Sequence, residues 1–354
     1  MTRDALDNRS RLSDHSGIPA AYICAGSVNG EVGARVDKQQ LAGVVTPVVT
    51  PLTEDLGLDT GSLERHVAGQ IDAGVHGLWV NGTTGEFYGL DPEQRAEVVG
   101  VCVRTAAARV PVIAHVGDTS SALAIAQAKA AIAAGADAVS ALPPYATAFE
   151  ESEIGDHLRA LAAVAGPVIF YHMPQVAGPG LSQQAIVDLV LDGVIAGVKD
   201  SSSDVLWLRR LIRTAADSGA DLPCFTGGSA VSDLGYFIGA AGVASSTANL
   251  APCYLVGQYE AARRGDWYET RYRQQQIDEL MSALRLPGRT SPTAIAGVYK
   301  FLLSLTGRIG SDRGVAPLRA LTSQEREQLE ARAVPLIDKL EGEAGSTTRD
   351  NSYQ

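Results

Sequence analysis

From Leu41 onward the chain alternates short apolar runs with longer amphipathic segments. The runs are rich in Val, Ile and Ala, and they stay apolar along their whole length. This pattern is typical of parallel strands that are buried on both faces. The predicted strands are Gly43–Thr50, Gly77–Asn81, Val110–Val116, Ala138–Leu142, Pro167–His172, Ile195–Lys199, Cys224–Thr226 and Gly242–Ser246.

The segments between the runs have the periodicity of helices. One of them begins at Asp91-Pro92, where Asp can cap a helix and Pro suits the first helical position. The predicted helices are Thr60–Ala73, Pro92–Ala107, Ser120–Ala134, Glu150–Val164, Ser182–Leu191 and Ser203–Asp217. Strand and helix units that repeat eight times over about 220 residues favour an α/β fold, the (β/α)8 TIM barrel. A doubly wound open sheet is the alternative, but no GxGxxG follows the first strand.

The segments outside these units predict the domain organisation. Residues 1–40 are polar and Gly-rich without periodicity, so we expect a flexible N-terminal extension before a barrel at 41–250. Residues 251–341 predict a helical appendage packed on the barrel, and residues 342–354 a disordered tail. The helical stretches of the appendage are Pro252–Leu286, Pro292–Leu305 and Ser323–Leu340.

Composition narrows the classes of function. The formal net charge is −11, from 29 Lys and Arg against 40 Asp and Glu, which argues against nucleic-acid or anionic-membrane partners. No apolar run approaches the roughly 20 residues of a membrane span, and no signal peptide is recognisable, so we expect a cytoplasmic protein. The four cysteines lie far apart without a CxxC pair, and neither a zinc knot nor a disulfide scaffold is predicted.

Lys199 ends the sixth apolar run, where the catalytic groups of a barrel collect. A lysine at the mouth of an apolar barrel loses solvation and its pKa falls. The neutral amine is then a nucleophile that can form a Schiff base with a ketone. From position alone, a lysine that only extends its ammonium to solvent is an open alternative.

The second run leads into the sequence Gly82-Thr83-Thr84-Gly85. Its glycines permit a tight turn, and the two Thr hydroxyls supplement the backbone N–H donors. Such a turn suits a carboxylate. A turn with a purely structural role is the alternative, because Gly and Thr are common turn residues.

Aromatic and hydroxyl residues follow other strand ends. Tyr171 and Tyr145 could pass protons together with Thr83, although each phenol could also be a buried ring with a satisfied hydroxyl. We interpret His115 and His172 as hydrogen-bonding wall residues rather than metal ligands, because no third ligand accompanies them. The seventh strand leads into Gly227-Gly-Ser229, which we expect to border the substrate. The tryptophans, Trp79 among them, are interpreted as packing residues.

Four motifs stand in order at these strand ends: GTTGE at 82–86, Pro-Tyr at 144–145, YHMP at 171–174 and GVK at 197–199. Together with HVG at 115–117, they resemble the dihydrodipicolinate synthase and N-acetylneuraminate lyase superfamily. The resemblance covers about residues 41 to 340. It implies a (β/α)8 barrel with a C-terminal helical appendage, in agreement with the pattern of apolar runs.

The resemblance also implies roles for single residues. Lys199 would form the Schiff base with a 2-keto acid, and Tyr171 would be the central proton-transfer phenol. Thr83 and Thr84 would hold the keto-acid carboxylate. No cofactor beyond the lysine is implied, and a homo-oligomer, either a tetramer or a dimer, is expected.

Departures from the family pattern concern the second substrate. Tyr145 matches the first tyrosine of a Pro-Tyr-Tyr turn, but Ala146 replaces the second, which reaches a neighbouring subunit's site in synthases. Val176 stands at the place of the arginine with which synthases bind a carboxylate. Gly-Ser-Ala at 228–230 replaces the Asp-Glu pair of neuraminate lyases, whereas Ser201 resembles a hydroxyl residue that lyases carry. A shorter or less hydroxylated partner than sialic acid is indicated.

The sequence therefore predicts a class I aldolase that joins or splits pyruvate, or a related 2-keto acid, and a small aldehyde. Activity like that of N-acetylneuraminate lyase or of a 2-keto-3-deoxy acid aldolase would fit. One alternative is 4-hydroxy-tetrahydrodipicolinate synthase, which uses pyruvate and aspartate semialdehyde. An alternative of another class is a keto-acid-binding protein without turnover.

Overall fold

The computed structural model describes residues 41–289, 291 and 293–350 of the chain. Its eight parallel strands close into a barrel in chain order, with β8 paired to β1. The prediction of a (β/α)8 barrel is therefore confirmed, and the open doubly wound sheet is excluded. The flexible extension predicted at 1–40 lies outside the described residues. The strands are β1 Gly43–Pro47, β2 Gly77–Val80, β3 Val112–His115, β4 Ala138–Ala141, β5 Val168–His172, β6 Ile195–Asp200, β7 Cys224–Thr226 and β8 Gly242–Val243.

β1 and β8 each end three residues before the apolar runs that predict them. β1 ends at Pro47, because the Val49 N–H donates to the Asn249 Oδ1 rather than to a neighbouring strand. β8 ends at Val243, and Ser245 then caps a 3-10 turn with its side chain, which accepts from the Thr247 N–H. Polar side chains thus end the ladder at the edge of the barrel where the site lies.

Helices α1 to α12, numbered in chain order, cover the outside of the barrel. They are α1 Thr60–Asp72, α2 Pro92–Ala106, α3 Ser121–Ala133, α4 Glu151–Ala165, α5 Pro174–Ala177, α6 Gln183–Leu191, α7 Val205–Asp217, α8 Ser232–Phe237, α9 Pro252–Arg263, α10 Trp267–Ala283, α11 Ala294–Leu305 and α12 Ser323–Asp350. Asp91 caps α2 with a reciprocal capping box, as the Asp-Pro signal predicts. Among these described helices, none is long and apolar enough to cross a membrane.

The appendage differs from its prediction in detail. The predicted stretch Pro252–Leu286 is two helices, α9 and α10, because Gly265 has a positive φ of 73° and Asp266 caps the second helix. The last helix extends to Asp350, beyond the boundary placed at residue 341. Residues 351–354 of the predicted tail lie outside the described chain. The other domain boundaries stay predictions.

The buried hydrophobic side chains form two clusters, one on the outside of the ring of strands and one inside it. The larger one fills the space between strands and helices. The smaller one consists of side chains that point inward from alternate strand positions, Trp79, Ile113, Ile169, Tyr171 and Phe225 among them. The barrel interior is therefore a packed aromatic and aliphatic layer, and any polar group inside it is held in a medium of low dielectric constant.

Candidate active site

Lys199 lies inside the barrel near the carboxyl end of β6. It pairs in register with Tyr171 on β5, so both side chains point to the same interior face. The Lys199 side chain is only 4% exposed. Its Nζ lies 4.5 Å from the ring centre of Tyr171 and 4.5 Å from that of Trp79.

The surroundings of Lys199 favour the neutral amine. Burial lowers the pKa of its ammonium, and the nearby hydroxyl of Tyr171 opposes this shift. The alternative of a lysine that reaches out to solvent does not fit a side chain held between two rings. A buried, partly neutral amine is the form that attacks a carbonyl.

A methionine sulfur connects two of the predicted site residues. The Tyr171 hydroxyl donates to the Met173 Sδ at 3.3 Å, and the Thr83 hydroxyl approaches the same sulfur at 3.9 Å. The turn after β2 and the end of β5 are therefore joined beside Lys199. Sequence reasoning missed Met173 as a site residue, although it lies within the YHMP motif.

The turn at residues 82–86 is tightly closed. The Glu86 N–H donates to the Thr83 carbonyl at 3.1 Å. A Cβ on Gly85 would lie 3.0 Å from the Val48 carbonyl oxygen, so a larger residue here would press on the backbone that follows β1. Thr84 is buried, with 8% of its side chain exposed. The structure thus holds the two threonines of the predicted carboxylate site on one rigid turn that begins at Gly82.

Glu86 fixes this turn to the appendage. Its carboxylate forms an ion pair with Lys300 Nζ at 2.5 Å, and the exposed fractions of these two side chains are 1% and 0%. The Val315 N–H donates to Glu86 Oε2 at 2.7 Å, and Lys300 donates to the Arg313 carbonyl at 2.8 Å. The last residue of GTTGE is therefore structural, and α11 supports the turn.

A row of rings leads from Tyr171 to Tyr145. His115 lies 5.7 Å from Tyr171, Phe87 lies 4.8 Å from His115, and Tyr145 lies 6.0 Å from Phe87, all measured between ring centres. Burial lowers the pKa of His115 well below its ordinary value, so the imidazole is neutral. Burial, with Asp118 nearby, raises the pKa of Tyr145 to about 12. The phenol of Tyr145 therefore keeps its proton at neutral pH.

A cavity of about 300 Å³ lies beside Phe87 and Tyr145. Arg95 lines this cavity, pairs with Asp118 at 3.4 Å and donates to the His115 carbonyl at 3.1 Å. The cavity is lined by Phe87, Tyr88, Leu90, Pro92, Arg95, Asp118, Thr119, Gln127 and Tyr145. Tyr145 therefore borders this cavity.

The remaining predicted site residues lie at the ends of β6 and β7. Ser201 packs against Gly227, where a Cβ would overlap the Ser201 hydroxyl. Ser229 is buried, and its hydroxyl contacts the Ser245 and Thr247 hydroxyls, the latter at 2.6 Å. Ser201 and Gly227 are thus brought together, whereas the Ser229 hydroxyl is taken up by other hydroxyls.

The histidines and tryptophans have specific neighbours. His172 stacks on Trp207 with ring centres 4.0 Å apart and planes at 9°. Among the residues that the structure describes, no three His, Cys, Asp or Glu side chains come together as a metal site. Trp79 is more than a packing residue, because the Lys199 Nζ lies over its ring, 4.5 Å from the ring centre. Its inward position on β2 was a signal that sequence reasoning did not use.

A buried lysine beside a tyrosine, at the carboxyl end of a closed parallel barrel, is an arrangement in which a neutral amine can act as a nucleophile. The dihydrodipicolinate synthetase family model matches residues 40–334 of the chain. An uncharacterized DapA-like lyase of Halobacterium salinarum is 38% identical over 83% of this chain and 94% of its own length. A 4-hydroxy-tetrahydrodipicolinate synthase of Phenylobacterium zucineum is 34% identical over 72% of this chain and 85% of its own length.

Solved structures of the same family share the fold. A prophage protein of the dihydrodipicolinic acid synthase family from E. coli K12, in complex with pyruvate, superposes with a TM-score of 0.78 at 26% identity. The alignment covers 85% of this chain and 98% of that protein. The chain therefore belongs to the dihydrodipicolinate synthetase family, and it is a lyase of that family.

Proposed function

We propose that the protein is a class I aldolase in which Lys199 forms a Schiff base with pyruvate or a related 2-keto acid. The observation that carries the proposal is the burial of Lys199 between Trp79 and the reacting phenol, Tyr171. The neutral amine attacks the keto carbon, water leaves, and the resulting iminium withdraws electrons from the adjacent carbon. That carbon then loses a proton and becomes an enamine. The iminium is the electron sink, so this step needs no metal or organic cofactor.

Tyr171 is the proton carrier in this proposal. Its hydroxyl lies next to the Lys199 amine, so it can receive a proton from the tetrahedral adduct and return it as water leaves. In the cleavage direction it takes the proton of the substrate hydroxyl, and the C–C bond breaks to give the aldehyde and the enamine. The Tyr171 hydroxyl donates to the Met173 sulfur at 3.3 Å, and this contact orients the hydroxyl while the site holds no substrate.

The carboxylate of the keto acid would bind to the turn that carries Thr83 and Thr84. Gly85 lets the turn close, and the buried pair of Glu86 and Lys300 keeps it rigid. Preorganised hydroxyl and N–H donors are suited to a carboxylate because they need no rearrangement when the ligand arrives. Thr83→Val should therefore raise KM for pyruvate and also lower kcat, since Thr83 shares the sulfur contact with Tyr171.

The second substrate is proposed to be a small aldehyde without a carboxylate. Val176 lies on α5, and its side chain is 42% exposed, so this wall offers an apolar surface where synthases carry an arginine. Ser201 beside Gly227 offers one hydroxyl for a polar group of the aldehyde. Ser229 offers less than predicted, because its hydroxyl is shared with Ser245 and Thr247.

A second candidate is 4-hydroxy-tetrahydrodipicolinate synthase. The curated relatives with this name support it, at 34% identity for the Phenylobacterium zucineum protein. Under this candidate, a cationic side chain elsewhere in the site has to hold the carboxylate of aspartate semialdehyde, because position 176 is a valine. Efficient turnover of aspartate semialdehyde with pyruvate would favour it over the aldolase with a simple aldehyde.

The test is reductive trapping followed by an aldehyde screen. Purified protein is incubated with millimolar pyruvate and borohydride, and Lys199→Met serves as the control. The proposal predicts a mass increase in the wild type that is absent in the control, and then turnover with at least one small aldehyde. A protein that forms the adduct and exchanges the methyl protons of pyruvate in heavy water is not a passive binder. No adduct at any pH would exclude the Schiff-base mechanism.

A further inference from the structure

Trp79 lies directly beside the reacting nitrogen. The Lys199 Nζ is 4.5 Å from its ring centre, within the range of a cation–π interaction. The indole is fully buried, and it meets the Tyr171 ring edge-on at 5.7 Å and 71°. The Gly82 backbone packs on its pyrrole edge, with 3.2 Å between the indole Cδ1 and the position of a Cβ on Gly82. The ring is therefore fixed from two sides while its face meets the amine.

The groups around Lys199 offer little other stabilisation of a positive charge. Tyr171 on β5 contributes its hydroxyl, His115 on β3 is neutral, and Met173 contributes a thioether. Asp200 follows Lys199 in the chain, but its carboxylate accepts from the Ser202 N–H on the opposite face of β6. Among the residues that the structure describes, no carboxylate forms an ion pair with Lys199 Nζ.

We propose that the face of the Trp79 indole stabilises the positive charge on the Lys199 nitrogen, first as the ammonium and then as the iminium of the Schiff base. This inference rests on the proposed function, because the iminium exists only if Lys199 reacts with a keto acid. An aromatic face attracts a cation most strongly when water is excluded, as it is here. Trp79 thereby sets the highest pH at which the Schiff base persists.

The pH dependence follows from the proton balance of the reaction. A neutral amine, a keto acid and one proton give an iminium and one water. Below the pKa of Lys199 the free enzyme and the adduct are both cations, so loss of the ring face affects them about equally. Above that pKa only the adduct is a cation. Loss of the face should therefore leave the low-pH plateau of adduct unchanged and move its alkaline decline to lower pH.

Two variants separate the effect of losing the aromatic face from the effect of reducing the volume of the side chain. Trp79→Phe keeps an aromatic face, and it loses no hydrogen bond, because the indole Nε1 has no partner among the described residues. Trp79→Leu removes the face. Each variant is treated with pyruvate and cyanoborohydride across a range of pH, and the fraction of Lys199 modified is read by mass spectrometry. We expect the alkaline midpoint of Trp79→Leu to fall by about one pH unit, and that of Trp79→Phe to fall much less.

Equal midpoints for the two variants would overturn the proposal. A second measurement needs neither substrate nor a substitution at position 79. The chain has three tryptophans, so Trp207→Phe combined with Trp267→Phe leaves Trp79 as the only indole emitter. Its emission should change at the pKa of Lys199, and this change should be lost in the added Lys199→Met variant. An emission titration that is the same with and without Lys199 would also overturn the proposal.

The trapping experiment and the emission titration distinguish a failure of this proposal from a failure of the proposed function. If pyruvate gives no adduct in the wild type, the Schiff-base mechanism fails while the emission titration still decides the contact between Trp79 and Lys199. If the wild type forms the adduct but the two variants behave alike, the mechanism stands and the role of Trp79 fails.

Discussion

Replacing Lys300 by Met should strongly destabilise the protein, although Lys300 lies outside the barrel strands. The substitution keeps most of the volume but removes the charge that faces Glu86 at 2.5 Å. Glu86 is then a buried carboxylate whose remaining hydrogen bond among the described residues comes from the Val315 N–H, at 2.7 Å. The Arg313 carbonyl loses its donor as well.

The magnitude follows from the burial of the pair. Loss of one partner from a buried ion pair costs about 3–5 kcal/mol, because the other charge stays desolvated without compensation. One kcal/mol lowers Tm by about 2–4 °C in domains of roughly 150–250 residues and by less in this longer chain, so a drop of roughly 5–8 °C is expected. Thermal unfolding followed by circular dichroism measures it.

The control is the double variant in which both members of the ion pair are replaced by neutral side chains. Glu86→Gln keeps an oxygen that can accept from the Val315 N–H, and the double variant with Lys300→Met contains no buried charge at this site. We expect the double variant to be more stable than Lys300→Met alone, with a coupling free energy of about 1–3 kcal/mol in the double-mutant cycle. A cost for Lys300→Met below about 1 kcal/mol, or additive effects in the cycle, would refute the reasoning.

Further predictions concern single ionisable groups. Tyr171→Phe should lower kcat by about 10²–10⁴ in a steady-state assay with a smaller change in KM, because it removes a positioned acid–base group and leaves the carboxylate turn intact; unchanged kcat would place the proton path elsewhere. Burial raises the pKa of Asp200 to about 6, so the contribution of this carboxyl group to the free energy of unfolding falls as pH rises from about 4 to about 6. Asp200→Asn should therefore be more stable than the wild type at pH 8 by up to roughly 3 kcal/mol in urea unfolding, with no gain near pH 4. Burial lowers the pKa of His66 to about 4, so the contribution of its neutral imidazole to the free energy of unfolding is complete above pH 6.5 and is lost as pH falls toward 4. His66→Gln should therefore show a smaller drop in Tm over that range than the wild type.

The sequence was sufficient for the barrel and for the approximate positions of its strands. Buried parallel strands are short apolar runs, and the chemistry of this fold collects where they end. That rule alone indicated Lys199, Tyr171 and Thr83, and the structure brings Lys199 next to Tyr171 and links Thr83 to it through a sulfur. The family motifs added their expected roles.

The contacts across the barrel could not be predicted in the same way. Trp79 is on β2 and Lys199 on β6, which are not neighbouring strands, and their contact depends on the closure of the barrel. Lys300 meets Glu86 only because α11 folds back on the turn after β2. The short helix α8 was missed because its segment is Gly-rich and has no side-chain cap.

The most direct test of the account is the position of the reduced pyruvate adduct. The chain has five lysines, so digestion and tandem mass spectrometry after borohydride treatment can assign the modified one. We predict the adduct on Lys199 alone, formed by the wild type and by Tyr171→Phe at a lower rate. An adduct on another lysine, or none at millimolar pyruvate, would contradict the central claim that Lys199 is the Schiff-base residue.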